Sequence, residues 1–288
     1  MDTNFIVIYR IVQLYEVLIA MSFQNQFTKT TTDANLMETV HHGSAEYPFR
    51  YYYENIALFD FKCIDWHWHS ELEFIYIESG NVVFDIGTVH FELNEGNGIM
   101  INSKILHRLQ SSSDAIIPNF LFQPSFIAPQ DSLIYKKYIN PVISSSLEYL
   151  VFQPDIPWQK KALEIIKTII AVQETEFNRE IIVSMSVQQL WILLLENLTF
   201  DQFENMGAVI SRTRLQLMMQ YVHAHYSENI TLEDIARTAN ISKSTALHLF
   251  QNNLKLTPVK YLINYRLKQA ALLLINTEEK IATISNNT

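Results

Sequence analysis

The chain has 288 residues, 48% hydrophobic and 18% charged, with six glycines, eight prolines and one cysteine. That length suits two domains, and the apolar fraction excludes wholesale disorder and collagen-like or coiled-coil fibres. The net charge of -9 is uneven: residues 1–207 carry 12 Lys and Arg against 25 Asp and Glu, whereas 208–288 carry 9 against 5. An acidic part joined to a basic one assigns any polyanionic partner to the C-terminal end. Cys63, alone, can form neither an internal disulfide nor a cysteine-rich zinc site; it fits a reducing compartment, so the cytoplasm is the expected location.

The N-terminal stretch MDTNFIVIYRIVQLYEVLIAMSF is apolar, but Asp2 stands where a secretory signal carries a basic residue, and Arg10, Gln13 and Glu16 interrupt the run. It is too broken to span a bilayer, so no membrane partner is expected. It reads either as a peripheral amphipathic helix or as residues upstream of a later start such as Met21. Residues 1–48 as a whole form a lead-in, rich in Thr, Asn and His from position 24.

From 49 to 127 the chain breaks into short β-branched and aromatic runs: FRYYYENIALFDFKCI, LEFIYIESG, NVVFDIG, TVHFELNEG, NGIMINS, ILHRLQSSS and AIIPNFLFQP. Gly80, Gly87, Gly96 and Gly98 fall at the turns, and the spacing predicts an antiparallel sandwich or barrel. After Pro154 and Pro157 the period becomes helical, with Leu163, Ile166 and Ile170, then Val183, Val187, Leu190, Leu194 and Leu198. The second of these helices is apolar over more than one stripe, with Trp191 and Leu193 to Leu195. It either meets a partner helix in a homodimer or is fully buried within its own domain. This first domain spans 49–200, and the polar stretch 201–211 reads as a linker.

Residues 212–288 form a helical series. RTRLQLMMQYVHAHYSEN is one helix; Thr231 opens a second, with Glu233 and Asp234 in its first turn; a tight turn at Ala239 to Ile241 follows, and Ser242 caps KSTALHLFQNNL. Two short capped helices joined this way make a helix-turn-helix, with Ile235, Ala236, Ile241, Leu247 and Phe250 as its core. The second helix of that motif enters the DNA major groove, so Ser242, Lys243, Ser244, Thr245 and His248, with Lys260 beyond, are the candidate DNA-binding residues. A plain helical hairpin is the alternative. The fold class is therefore α+β in two domains, a β-sandwich or barrel followed by helices and then an all-α helix-turn-helix domain.

The densest polar constellation is DWHWHSELEFIYIESG. His67 and His69 alternate on a strand and point to one face, Glu73 shares their parity, and His107 follows a later turn. Two imidazoles, a carboxylate and a third imidazole could form the first shell of a Zn, Fe, Mn or Ni ion. Trp66 and Trp68, on the opposite parity, read as core or interface. Tyr51, Tyr52 and Tyr53 could supply stacking, and Tyr51 and Tyr53 are taken as candidates.

The 45 residues from Ile230 to Leu274 closely resemble the DNA-binding domain of AraC/XylS-type transcriptional regulators. The fixed points are Ala236, Ser242, Phe250, LTP at 256–258, Tyr261 and RLKQA from Arg266 to Ala270, while Ala246 stands for a usual Leu and His248 for a usual Arg. The resemblance implies two helix-turn-helix motifs joined by the long helix PVKYLINYRLKQAALLLIN. EEKIATISNNT opens the second and stops before a second recognition helix, which reads as a truncated frame or a fragment. In the first domain, the histidine and glutamate spacing and NEGNGIMINSKILH resemble the two cupin motifs, with Phe61 where a Gly leads and Asn94 where a Pro is usual.

Together these resemblances imply a ligand-responsive transcriptional regulator with a jelly-roll-like cupin sensor, a homodimer that binds double-stranded promoter DNA. His67, His69, Glu73, His107, Tyr51 and Tyr53 are its candidate effector-binding residues, toward a small carbohydrate-like metabolite. The histidine and glutamate set has three readings: effector pocket, structural hydrogen bonds that close the barrel, or metal site. No catalytic residue and no cofactor is assigned. The alternatives are a cupin-type metalloenzyme, such as an isomerase or dioxygenase, and a truncated dimerising fragment that does not bind DNA.

Overall fold

The computed structural model describes residues 29–198 and 206–284, apart from positions 34, 35, 88, 176, 255, 278, 279 and 282. The N-terminal amphipathic stretch, the first residues of the expected linker and much of the expected second motif lie outside the described residues. The chain divides into two compact units, built chiefly from residues 40–86 with 90–204, and from 205–288.

The first unit carries β1 (Phe49–Asn55), β2 (Cys63–His67), β3 (Leu72–Tyr76), β4 (Asn81–Ile86), β5 (Val89–Asn94), β6 (Gly98–Ile101), β7 (His107–Gln110), β8 (Ile116–Phe122) and β9 (Tyr149–Phe152). They form a five-stranded sheet, β1-β8-β3-β6-β9, and a four-stranded sheet, β2-β7-β4-β5. The expected run FRYYYENIALFDFKCI is two strands: 3-10 turns at Ile56–Leu58 and Asp60–Lys62 divide it and send its halves to different sheets. Phe61, at the place of the leading cupin glycine, takes the left-handed conformation, φ 58°. β9 was not expected; YLVF is four residues long and gains its strand from pairing with β6.

Side-chain alternation gives each face of the larger sheet its own core. Inward, Ile75, Ile99, Ile101 and Ile117 meet Val82, Phe84, Ile86 and Leu109 of the smaller sheet. Outward, Phe49, Phe74, Phe120, Phe122 and Phe152 pack under two helices, α1 (Pro157–Ala171) and α2 (Arg179–Asn197). Phe74 stacks on Phe120 and Phe122 with centroids 5.3 and 5.8 Å away. Each buried ring contributes about 1.5–3 kcal/mol. Burial on both faces is why IIPNFLF and GIMI read as nearly continuous apolar runs. At Gly98 a Cβ would lie 2.9 Å from Leu163 Cδ2, so the missing side chain lets α1 come close to β6.

α2 buries Val183, Val187, Leu190, Trp191 and Leu194. A helical segment at 135–143 covers its C-terminal half, where Trp191 Nε1 donates to Tyr138 O at 3.1 Å. The helix is not buried all round, because Ile181, Met185 and Ile192 are 62%, 58% and 56% exposed.

The second unit holds α3 (Met206–His225), α4 (Leu232–Thr238), α5 (Lys243–Leu254) and α6 (Pro258–Asn276). α3 begins inside the stretch expected as linker, since GAVIS carries no helix breaker beyond a single glycine. Leu215, Met218, Met219, Val222, Ile235, Ala236, Ala246, Phe250, Tyr261 and Leu262 are buried. Of the expected core, Ile241 and Leu247 are only half-buried, and Ala246 is fully buried in its place on α5. Arg266 ties the ends together, donating from Nε to Tyr226 O and from Nη2 to Glu228 O, each at 2.6 Å.

Candidate functional site: the polar cluster of the sandwich and the recognition helix

His67, His69, Glu73 and His107 converge, all buried, with one ligand atom of each within 4.8 Å of the others. They arrive by a different route from the one the spacing suggests. His67 ends β2 and pairs in register with His107 of β7, both on the smaller sheet; Glu73 lies on β3 of the larger sheet, and His69 sits on the connection between. Shared parity along one strand therefore explains none of Glu73's approach: the chain crosses from sheet to sheet at 69–71, and the sandwich brings the residues together.

Each imidazole is held from behind. His67 Nδ1 lies 2.7 Å from Asp65 O, His107 Nδ1 2.8 Å from Ile105 O and His69 Nδ1 3.3 Å from Glu71 O. The Nε2 atoms of His107 and His69 face Glu73, whose Oε2 lies 3.1 Å from the first and 3.3 Å from the second. The tight turn before β7 supports this arrangement: Lys104, at φ 62°, donates its backbone N–H to His69 O at 2.8 Å. Burial alone would raise the Glu73 carboxyl, but hydrogen bonds and charge from His107 and His69 outweigh it and hold the group well below the usual carboxylate range.

More polar groups line the same inner face. Tyr52 OH is 2.9 Å from His42 Nδ1, and the His42 ring meets the His69 ring edge-on at 5.7 Å. Asn119, opposite Tyr52 in register, donates to buried Glu54 at 2.8 Å. Arg50 lies over the Tyr52 ring, 5.7 Å from its centroid. Tyr51 and Tyr53 are not brought to this cluster. Strand alternation turns them to the outer face with Phe49, where Tyr51 packs against the helix-covered core and Tyr53 donates to Glu78. Their hydroxyls are raised above the usual tyrosine value, mainly by burial.

Sequence reading passed over Arg50, Glu54, Asn119 and His42. The first two were legible, since Arg50, Tyr52 and Glu54 alternate with period two. Asn119 is the one amide in an apolar strand, also a readable signal. His42 lies in the lead-in, where no pattern points to it.

In the second unit, α4 is capped by a reciprocal box in which Thr231 and Asp234 bond each other's backbone. The turn into α5 uses Asn240 at φ 51°. Ser242, Lys243, Ser244, Thr245 and His248 are all exposed on α5 or at its start, and Lys260 is exposed on the first turn of α6. Ser242 Oγ accepts the Thr245 N–H at 3.2 Å, so its oxygen already caps the helix. Lys243 Nζ lies 3.3 Å from Glu233 Oε2 in an exposed pair. Two short helices at a tight turn, with a row of hydrogen-bonding side chains on the second, have the form of a groove-reading element.

Residues 59–129, which include three of the four converging side chains on their strands and His69 between them, match the family model of the AraC-like ligand binding domain. The chain is 32% identical to the uncharacterized HTH-type transcriptional regulator YdeC of Bacillus subtilis over 88% of this chain and 87% of that one. It is 26% identical to the lactose operon transcription activator of Staphylococcus xylosus, over 57% of this chain and 60% of that one. Among solved structures it is similar to ToxT from Vibrio cholerae, with 13% identity, a TM-score of 0.34, and coverage of 75% of this chain and 98% of that one. Among the described residues no helix is long and apolar enough to cross a membrane. With a ligand-binding family match over the barrel and a helix-turn-helix regulator as a relative along most of its length, the chain belongs to the AraC-type family of transcriptional regulators.

Proposed function

We propose that this regulator binds a small polyhydroxylated metabolite at the polar cluster of its first unit and reads promoter DNA with α5 as a homodimer in the cytoplasm. The observation that carries the effector reading is the polar end of an otherwise apolar sandwich. His67, His69, Glu73 and His107 meet there, and Tyr52, Glu54 and Asn119 line the same inner face. Hydroxyl-rich ligands need acceptors and donors in alternation, and this wall supplies carboxylate, amide, phenol and imidazole. A relative that activates transcription of a lactose operon supports a carbohydrate. For regulation, the metabolite must bind one conformation of the chain better than another, because equal affinity shifts nothing.

The DNA reading rests on the exposed row from Ser242 to His248 and on the basic excess of residues 208–288. The dimer reading rests on Ile181, Met185 and Ile192, an apolar stripe left open on α2. No catalytic role is assigned to the polar cluster, in keeping with relatives that are named regulators.

Isothermal calorimetry against a panel of sugars, sugar acids and polyols tests the effector reading. A heat of binding that Asn119→Ala and Glu54→Gln each weaken about tenfold or more supports it. Binding that both variants leave unchanged would place the effector elsewhere.

A further inference from the structure

A cavity of about 770 Å³ lies between the chain from Ile127 to Val142 and the C-terminal half of α2. That volume suits a small organic molecule, for which sites run from roughly 300 to 1,000 Å³. Val142 and Trp191 line it and belong to the outward core of the larger sheet, so it lies on the face away from the polar cluster and shares no residue with it.

The wall is hydrocarbon and aromatic ring. Trp191 Nε1, a donor that a ligand could otherwise use, is committed to Tyr138 O at 3.1 Å. Ile134, Tyr138 and Ile192 line the cavity and are exposed, so water meets an apolar surface here. An occupant with an apolar body relieves that exposure. The charged lining residues, Lys137 and Glu196, are exposed and therefore stand where the cavity meets solvent.

Three observations give the charge the occupant should carry. Glu196 makes no ion pair among the described residues, and it sits in the last turn of α2, where the helix dipole is already negative. The Tyr138 ring accepts a cation, because Lys137 Nζ lies 5.1 Å from its centroid, within cation–π range. Residues 1–207 carry 25 acidic side chains against 12 basic ones, a field that draws cations to this part of the chain. Lys137 opposes them, but its ammonium ends a flexible stem that can turn out to water.

We propose that this cavity binds a lipophilic organic cation, a bulky apolar body with a single positive charge. The body fills the space between Trp191, Val142 and Ile134, and the charge meets the Tyr138 ring and Glu196. This site is separate from the metabolite site proposed above and stands or falls without it.

The test is calorimetry on the full chain in about 0.15 M salt, where exposed charges further apart than about 8 Å are largely screened. The probes are tetraphenylphosphonium and tetraphenylborate, which share a shape and differ in the sign of their charge. One phosphonium should bind per chain, and the borate should bind at least about tenfold more weakly, a difference of about 1.4 kcal/mol. Glu196→Gln should weaken phosphonium binding about two- to fivefold, and Lys137→Met, which keeps the stem and removes the like charge, should tighten it by a similar factor. Both side chains are exposed, so the fold should tolerate either change, and far-UV circular dichroism checks this. No saturable phosphonium binding, borate binding as tight or tighter, or phosphonium affinity that neither substitution moves would overturn the proposal. Affinity that falls as protein concentration rises and chains associate would also overturn it, and would give the cavity to a second copy of the chain.

Discussion

Glu73 Oε2 and His107 Nε2 lie 3.1 Å apart, and they belong to different sheets of the sandwich. A ligand that contacts both groups therefore fastens one sheet to the other. A ligand held by both groups should raise the melting temperature of the first unit, by about 2.7 kcal/mol of stability at a hundredfold excess over its Kd. Differential scanning calorimetry on the full chain reads this. A ligand-induced shift of equal size in Glu73→Gln would mean that the fastening lies elsewhere.

Arg266 is part of the family-like RLKQA run, yet its guanidinium is committed to Tyr226 O and Glu228 O within the second unit. Charge-assisted bonds to carbonyls that close the end of a helix contribute about 1.5–3 kcal/mol. Arg266→Met should destabilise the second unit by about 2 kcal/mol in urea melts. If the substitution weakens DNA binding while leaving the melt unchanged, Arg266 contacts DNA and the clamp is incidental.

The capping box gives the second unit an acid sensitivity. Asp234 is lowered from the usual aspartate value, first by its side-chain hydrogen bond from Thr231 and then by the Thr231 backbone N–H. A carboxyl depressed in the folded state contributes stability that is present above its ordinary value and is lost as pH falls through its folded value. Asp234→Asn should be less stable than wild type at neutral pH, with the gap closing below pH 3.8, the ordinary value. Thr231→Ala should cost about 1 kcal/mol at neutral pH. Thermal melts between neutral and acid pH check both, and a gap independent of pH would count against the box.

The open stripe on α2 predicts the oligomeric state. Met185→Glu with Ile192→Glu replaces two residues that are 58% and 56% exposed, so the folded protomer should tolerate the change. Sedimentation equilibrium should show wild-type dimers and variant monomers with unchanged circular dichroism. Wild-type monomers at micromolar concentration, or variant dimers, would remove α2 from the interface.

Lys243 and Lys260 are exposed at the start of α5 and of α6. If they neutralise phosphates, replacing both with Ala should flatten the salt dependence of DNA binding by up to about two units of log–log slope, whatever the DNA sequence. Stability should hardly change, since the Lys243 pair with Glu233 is an exposed one. An unchanged slope would show that neither lysine meets the backbone.

Much of this architecture was legible from periodicity. Seven of the strand runs, both helices of the first domain and the turn from Ala239 to Ile241 follow from alternation, caps and breakers. What escaped was non-local: β9 exists because β6 offers it a partner, and the division of the first long run into β1 and β2 depends on which sheet each half joins. The four converging residues were identified, but through a single-strand argument that cannot carry Glu73 across to His107. Tyr51 and Tyr53 failed for the opposite reason, because parity was available and shows that Tyr52 is the inward member of the triplet. His42 reaches Tyr52 from a loop with no period at all, which only tertiary structure reveals.

Recognition of particular DNA by this chain is read by fluorescence anisotropy. The 288-residue protein is titrated, at several salt concentrations, onto DNA from upstream of its own coding sequence and onto scrambled DNA of equal length. The upstream fragment should bind tenfold or more tightly, about 1.4 kcal/mol, and the preference should persist as salt is raised. Equal, steeply salt-dependent affinity for both would contradict it, leaving the basic unit as an electrostatic clamp without sequence recognition.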